Sequence, residues 1–567
     1  MSTFAEQEPS DAQLFYEAAR DRDPARMLSL TQSGRDINTF DGGWSALYKA
    51  VAEHSSDLET IKLLLCFKAN PGLSGYSKPG CPRKMPLHLA AMGGNVELVK
   101  LLLDAGAHPA PRTLRYWRTP LEEALQNGHF PVFSHIIETF LLKPFEQRPT
   151  EGVADAVILA ASRWSVEPLI LLLNYGKEVK SKIVTQDLLR RAFCAAIEPG
   201  SCGCDVESVD KRFADTGVDA LLKILNILLE AGANFCDEEL QRILYSTCCD
   251  KRYAKVVQLL LTFKPRISYY HLFGAIDSQS LLLVQDLIMS YSDLNDGRLV
   301  VICNTEPDVV QYAAMCGSLA IFRYLYVTSE VDQATWGVKI RPTPIIHFAV
   351  WGLQQATIQY ILYTESQGTL INKKDEYGQT PLMYAFDGTV KSSAASRLSV
   401  IQYLIEQGSS VTARSNDGLT VLHYAVRLGS VAAVRLLLKV GANPNAKAIA
   451  GSDMHEENNQ LCMHLPGTSR CRTPLHYAVD QQSKVSVDTI WALLESGADI
   501  NACDADGVTP LNLLLAEGWD TDEAREVRID AAMLLVQQGA DVDIKSKDGK
   551  TARKWASERD VSLEAMV

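Results

Sequence analysis

Four residues ahead of Thr473, namely His455, Cys462, His464 and Cys471, are of the types that hold zinc. Two thiolates and two imidazoles would close a tetrahedral Cys2His2 site and staple the segment that carries them. Their spacing argues against it, since no Cys-x2-Cys pair is present and the intervening chain is polar and irregular. Ordinary loop residues are the preferred reading, and no metal or other cofactor is assigned. Cys202 and Cys204, one residue apart, suit neither a zinc pair nor a relaxed disulfide. His455-Glu456-Glu457 stops short of a His-Glu-x-x-His metal helix, and Asp504-Ala505-Asp506-Gly507 opens like a calcium loop but lacks the Glu required at loop position twelve. Neither a Gly-x-Ser-x-Gly elbow nor a Gly-x-x-x-x-Gly-Lys phosphate loop occurs. Linear signatures of catalysis are therefore missing, which leaves only sites assembled from distant residues.

Composition narrows the classes further. The 567 residues carry a formal charge of −13, with an isoelectric point near 5.4. That balance argues against the basic footprint of a nucleic-acid binder and favours a protein partner with a neutral or basic surface or an extended peptide. Thirteen Cys in so long a chain make no dense disulfide framework. Cys194 and Cys316 lie beside small residues as core thiols do, so a reducing compartment, cytoplasmic or nuclear, is expected. Residues 1–8 lack the basic and apolar regions of a secretory signal, and the apolar runs at 169–173 and 281–289 are too short to span a bilayer.

The elements that must position any site repeat along the chain. Met85-Pro86-Leu87-His88-Leu89-Ala90, Thr420-Val421-Leu422-His423-Tyr424-Ala425 and Thr473-Pro474-Leu475-His476-Tyr477-Ala478 are variants of one phrase, shortened at Thr119-Pro120-Leu121, Thr380-Pro381-Leu382 and Thr509-Pro510-Leu511. The Thr hydroxyl is placed to cap a helix, with Pro at the first helical position where no donor is needed. Glu122, and by the same geometry His88, His423 and His476, can reach back to the cap from three residues on, a structural role. Leu87, Ala90 and Ala91, then Leu98, Leu101 and Leu102, recur at helical spacing, so each helix presents one apolar stripe. Gly106, Gly232, Gly441, Gly497 and Gly539 fit the left-handed position after the second helix.

This phrase, with its paired helices and turn, resembles the ankyrin repeat of about 33 residues. The resemblance implies an all-α solenoid with β-turn or hairpin fingers and about 14 repeats, several degenerate. Residues 1–142 read as N-terminal repeats with a cap formed around 14–30. Residues 143–342 read as degenerate repeats with inserted loops at 199–216, 292–307 and 327–342. Residues 343–567 read as C-terminal repeats ending in a cap.

In this family the turn tips and exposed first-helix positions line a concave groove. By resemblance the partner-binding candidates here are Trp44, Arg115, Tyr116, Arg118, Gln126, Trp351, Glu376, Tyr377, Gln379, Arg427 and Asp506. Trp, Tyr and Arg among them would carry most of the energy. Packing against a neighbouring repeat is the competing reading for Trp44 and Trp351. The resulting function is a non-enzymatic intracellular scaffold that binds protein through its groove. The alternative is an enzyme or small-molecule binder with a pocket in the degenerate middle, using Tyr312, Trp336, Arg341 and His347. There Thr343-Pro344-Ile345-Ile346-His347 sets the His one residue later than the other phrases do, which leaves the helix register open.

Overall fold

The computed structural model describes residues 9–75, 84–110, 118–143, 152–179, 183–198, 217–294, 308–331, 344–364, 370–386, 393–449, 471–480, 485–516 and 522–559. The chain divides into two compact units, one of residues 1–247 with 252–265, the other of residues 248–251 with 266–567. The middle stretch at 143–342 is shared between them.

Within the first unit, helices alternate in short antiparallel pairs. Asp11–Arg20 pairs with Pro24–Gln32, and Ala46–Glu53 with Leu58–Cys66. The pair Pro86–Gly93 and Val96–Asp104 shows why these lengths recur. Pro86 starts the first helix, and Gly94 ends it in a left-handed conformation at φ 74°. The Asn95 side chain caps the second by accepting from Leu98 N–H at 3.0 Å. Gly106, at φ 89°, then turns the chain out. Leu98, Val99 and Leu102 are fully buried. First helices pack on first helices of the neighbouring repeat, as Pro86–Gly93 does on Pro120–Gln126. Because each stripe needs a neighbour, the core grows one repeat at a time.

The degenerate stretch keeps the plan. In the first unit Val153–Ser162 pairs with Val166–Glu178; in the second Tyr269–Asp277 pairs with Leu281–Leu294, and Val309–Cys316 with Leu319–Val331. Here the caps change chemistry. Ser268 replaces Thr and is bridged by His271, while Asp308 caps Gln311 N–H at 2.8 Å.

Two expected loops begin later than the composition implies. Leu281–Leu294 and Leu319–Val331 run on through residues 292–294 and 327–331. Their buried stripes, Leu283, Val284, Leu287 and Ile288 in one and Ile321, Phe322 and Leu325 in the other, bind the helices down, and Thr328 Oγ1 donates to the Tyr324 carbonyl within the second. The remainder of those loops, and the insertion at 199–216, lie outside the described residues.

The second unit continues with the pairs Ile345–Trp351 and Gln355–Thr364, Val421–Arg427 and Val431–Lys439, Pro474–Val479 and Val487–Glu495, then Pro510–Ala516 and Asp522–Gln537, followed by the single helix Ala552–Glu558. No extended sheet forms among the described residues; the turns make isolated bridges such as Arg414 with Thr420.

Candidate functional site

In the second unit four five-residue turns share one geometry. Asp375 donates its N–H to the Gln379 carbonyl at 3.0 Å, Ser415 to Leu419 at 2.9 Å, Asp504 to Val508 at 3.0 Å and Ser546 to Lys550 at 2.9 Å. The fourth residue of each is Gly in the left-handed region, Gly378 at φ 71° and Gly418, Gly507 and Gly549 at 72°. Neighbouring tips are stitched together, since Asn416 N–H donates to the Tyr377 carbonyl at 2.9 Å, Ile449 N–H to Asp417 at 2.8 Å and Lys547 N–H to Asp506 at 2.8 Å. The turns at 375–379 and 415–419, with Ile449, are thus linked through the backbone, as are those at 504–508 and 546–550.

Polar groups beneath the row hold it in place. Asp375 Oδ1 accepts from Tyr377 and Gln379 N–H at 2.9 and 2.7 Å, and its Oδ2 accepts from Tyr384 O–H at 2.8 Å. Asp504 Oδ1 likewise accepts from Asp506 and Val508 N–H at 2.8 and 2.9 Å. Arg472 lies between Asp480, at 2.7 Å, and Asp504, at 3.6 Å. Tyr384, Tyr424 and Tyr477 occupy the same position of successive first helices and are buried. Burial pushes the Tyr477 hydroxyl up to about 12, with Arg472 opposing and Asp480 reinforcing the shift.

The histidines are structural and obey one rule. His88, His347, His423 and His476 each stand three residues after an N-cap and are fully buried. In His88, His423 and His476 the ring Nδ1 accepts from the cap backbone N–H, at 3.2, 3.0 and 3.2 Å. Nε2 of His88, His347 and His476 reaches the carbonyl just before the next repeat's N-cap, Arg118 at 3.1 Å, Gln379 at 3.1 Å and Val508 at 3.0 Å. His347 resolves the register. Its N-cap is Pro344, not Thr343, so the helix starts one residue late and the imidazole lands at the standard position. As a pocket group it is corrected: both ring nitrogens face backbone carbonyls, Pro344 and Gln379, and burial lowers its pKa.

The other expected site residues fall as follows. Glu376 is exposed; Trp44, Arg118, Gln126, Trp351, Tyr377, Arg427 and Asp506 are half-buried. Trp44 packs edge-on against Tyr48 with centroids 5.7 Å apart, and Trp351 lies 6.1 Å from Phe348, each contact within its own repeat. Gln379 is a correction, being 3% exposed with its N–H tied to Asp375 and its carbonyl receiving His347. The turn needs that backbone inside. Tyr312 donates to both Asp277 oxygens, at 2.8 and 2.9 Å, and stacks on Phe273 at 4.2 Å; burial and then the Asp277 bond raise its pKa.

Arg115, Tyr116, Trp336, Arg341, His455, Cys462 and His464 lie outside the described residues. Cys471 is a half-buried free thiol, and no group of three His, Cys, Asp or Glu suited to a metal occurs among the described residues.

The sequence reading overlooked a row of cations flanking the tips. Lys374 Nζ donates to the Arg414 carbonyl at 2.7 Å, Arg414 Nη1 to the Lys447 carbonyl at 2.7 Å, and Lys447 Nζ to the Cys503 carbonyl at 3.3 Å. The signal was present, because Lys374 and Arg414 each immediately precede the first residue of a turn.

These paired helices, histidine-bridged caps and stitched turns define a class, the ankyrin-repeat proteins, and this chain is one. The family profile described as ankyrin repeats (3 copies) matches it at residues 47–144 and 389–448, and the single ankyrin-repeat profile at 470–505. It is 30% identical over 133 residues to alpha-latrotoxin-Lhe1a of Latrodectus hesperus, covering 22% of this chain and 9% of the toxin. It is 24% identical over 200 residues to the nuclear factor NF-kappa-B p105 subunit of Gallus gallus, covering 31% and 19%. With SH3 and multiple ankyrin repeat domains protein 2 of Homo sapiens the identity is 28% over 164 residues, covering 26% and 8%. The chain thus spans less than a fifth of each of these relatives. A solved chain from the complex of a predatory endopeptidase with its immunity protein from Bdellovibrio bacteriovorus has a TM-score of 0.30 at 21% identity, covering 40% of this chain and 98% of that one. No helix among the described residues is long and apolar enough to cross a membrane.

Proposed function

We propose that this ankyrin-repeat chain is a non-enzymatic scaffold whose protein partner lies across the turn row of the second unit, contacting Glu376, Tyr377, Arg427 and Asp506. Ankyrin repeats are a protein–protein interaction module, and the observation that carries the placement is the backbone stitching of the tips. Asn416 to Tyr377 and Lys547 to Asp506 fix the row before any partner arrives, which lowers the ordering cost of association. Tyr377 and Arg427 are of the types that concentrate interface energy and retain accessible surface. Free thiols at Cys66 and Cys236 support a reducing setting such as the cytoplasm or nucleus.

Affinity capture from an extract, with parent and Tyr377→Ala/Arg427→Ala chains in parallel, tests the reading. A protein held by the parent and lost by the variant supports it; equal capture by both removes the turn row as the site.

A further inference from the structure

The chain is acidic overall, but the sign of its charge reverses along one stretch of sequence. Residues 370–449 carry nine Lys and Arg against five Asp and Glu. Lys374, Arg414 and Lys447 are exposed; the first two immediately precede the turns at 375–379 and 415–419, and Lys447 precedes Ala448, whose N–H donates to the Arg472 carbonyl at 3.1 Å. Each head group is held by a backbone carbonyl of the next repeat, with Arg414 Nη1 also donating to Gly418 at 3.0 Å. Among the described residues none of the three makes an ion pair.

Carbonyls fix these side chains without neutralising them. An ammonium has three donors and a guanidinium five, so each head keeps hydrogen-bonding capacity directed outward. Exposed ion pairs are ordinarily weak because two long side chains must be ordered to form them. Here that ordering is already present on one side. These three charges are opposite in sign to the net charge of the whole chain.

We propose that Lys374, Arg414 and Lys447 form a preset cationic row that takes an extended acidic peptide segment. This rests on the turn row being the partner's site and names the chemistry of that partner. Adjacent repeats sit roughly 8–10 Å apart, the packing distance of neighbouring helices, and an extended chain advances about 3.3 Å per residue. Carboxylates at every third residue therefore meet successive cations. A nucleic acid fits less well, because it carries charge at every nucleotide and the tips interpose the exposed Glu376 and the half-buried Asp417 beside the row. A peptide with neutral residues between its acids avoids them.

The experiment uses the full chain and a fluorescein-labelled peptide with Glu at every third position and Ser or Ala between, read by anisotropy. Comparison probes are a peptide of the same composition with its Glu residues clustered, the Gln counterpart, and a single-stranded oligonucleotide of equal length. The spaced peptide is expected to bind best, to weaken as salt rises, and to lose about tenfold affinity with Lys374→Gln/Arg414→Gln/Lys447→Gln. Should loss of the Arg414 carbonyl bonds unfold that variant, Lys374→Glu/Lys447→Glu replaces it, with circular dichroism confirming the fold. Equal binding of the clustered peptide or the oligonucleotide, no binding of the spaced peptide, or indifference to the substitutions overturns the inference. A captured partner that responds to Tyr377→Ala but not to the cation variants sinks this proposal alone and leaves the turn-row reading standing.

Discussion

His476 and Val508 lock two repeats together. The ring accepts at Nδ1 from Thr473 N–H at 3.2 Å, so the proton resides on Nε2, which donates to the Val508 carbonyl at 3.0 Å. One side chain thus caps its own helix and satisfies the entrance to the next. His476→Ala is expected to cost about 1–3 kcal/mol, because it leaves a buried carbonyl and a cap donor unpaired. Chemical denaturation read by circular dichroism checks this; an unchanged midpoint would show that water replaces the ring at no cost.

The same histidines set a pH limit. Burial lowers His423 and His476 from 6.5 to about 4. An unfolded chain therefore binds protons as pH falls below 6.5 while the folded chain does not until about 4. Stability is fully present above that window and is lost as pH drops through it, by on the order of 3 kcal/mol per histidine. Melting temperature measured from pH 7 to 4 should fall steeply, and the fall should be shallower in His423→Asn/His476→Asn. A parallel pH slope in parent and variant would assign the acid sensitivity to other groups.

Arg472 should be indispensable for a different reason. It has Asp480 at 2.7 Å and the fully buried Asp504 side chain at 3.6 Å. Arg472→Met strands a buried carboxylate and should cost about 3–5 kcal/mol. Asp480→Asn should cost less, because Arg472 then still faces Asp504. Equal losses in urea titrations of the two variants would mean that Asp504 is hydrated and the pairing immaterial.

Two glycines separate strain from collision. Gly408 (φ 92°) and Gly378 (φ 71°) are both left-handed, but an added Cβ meets nothing within 4 Å at Gly408 and lies 2.8 Å from the Asn416 backbone nitrogen at Gly378. Gly408→Ala should cost about 1–2 kcal/mol from conformation alone, and Gly378→Ala more, with loss of the Asn416 to Tyr377 stitch. Amide exchange at Asn416 reports the difference. Unaltered protection there in Gly378→Ala would show that the turns yield without parting.

A core truncation tests the stacking itself. Leu102 is fully buried in the second helix of its repeat, and Leu102→Ala should cost about 2–5 kcal/mol, against no more than about 0.5 kcal/mol for the outward-facing Lys100→Ala. Similar melting of both would displace that repeat from the core.

Local chemistry made most of the architecture legible in the sequence. Thr119, Thr380 and Thr473 start helices because a hydroxyl and a following proline act within one turn of chain, and Gly106 and Gly441 end them because only glycine adopts the left-handed position without strain. Such signals need no partner element, so periodicity and caps sufficed for the fold and for the structural role of His88, His423 and His476. What tertiary structure alone decided depends on contacts between residues about 30 to 60 positions apart. The phrase at Thr343 pointed to a shifted His347, yet the helix has Pro344 as its N-cap, one residue late, and the imidazole meets the Gln379 carbonyl. Gln379 itself looks like a polar tip residue and is buried by Asp375 and that histidine. The cationic row is the clearest case. Lys374, Arg414 and Lys447 are unremarkable surface residues singly, and become a line only when stacking sets each head group against the carbonyl of the next repeat.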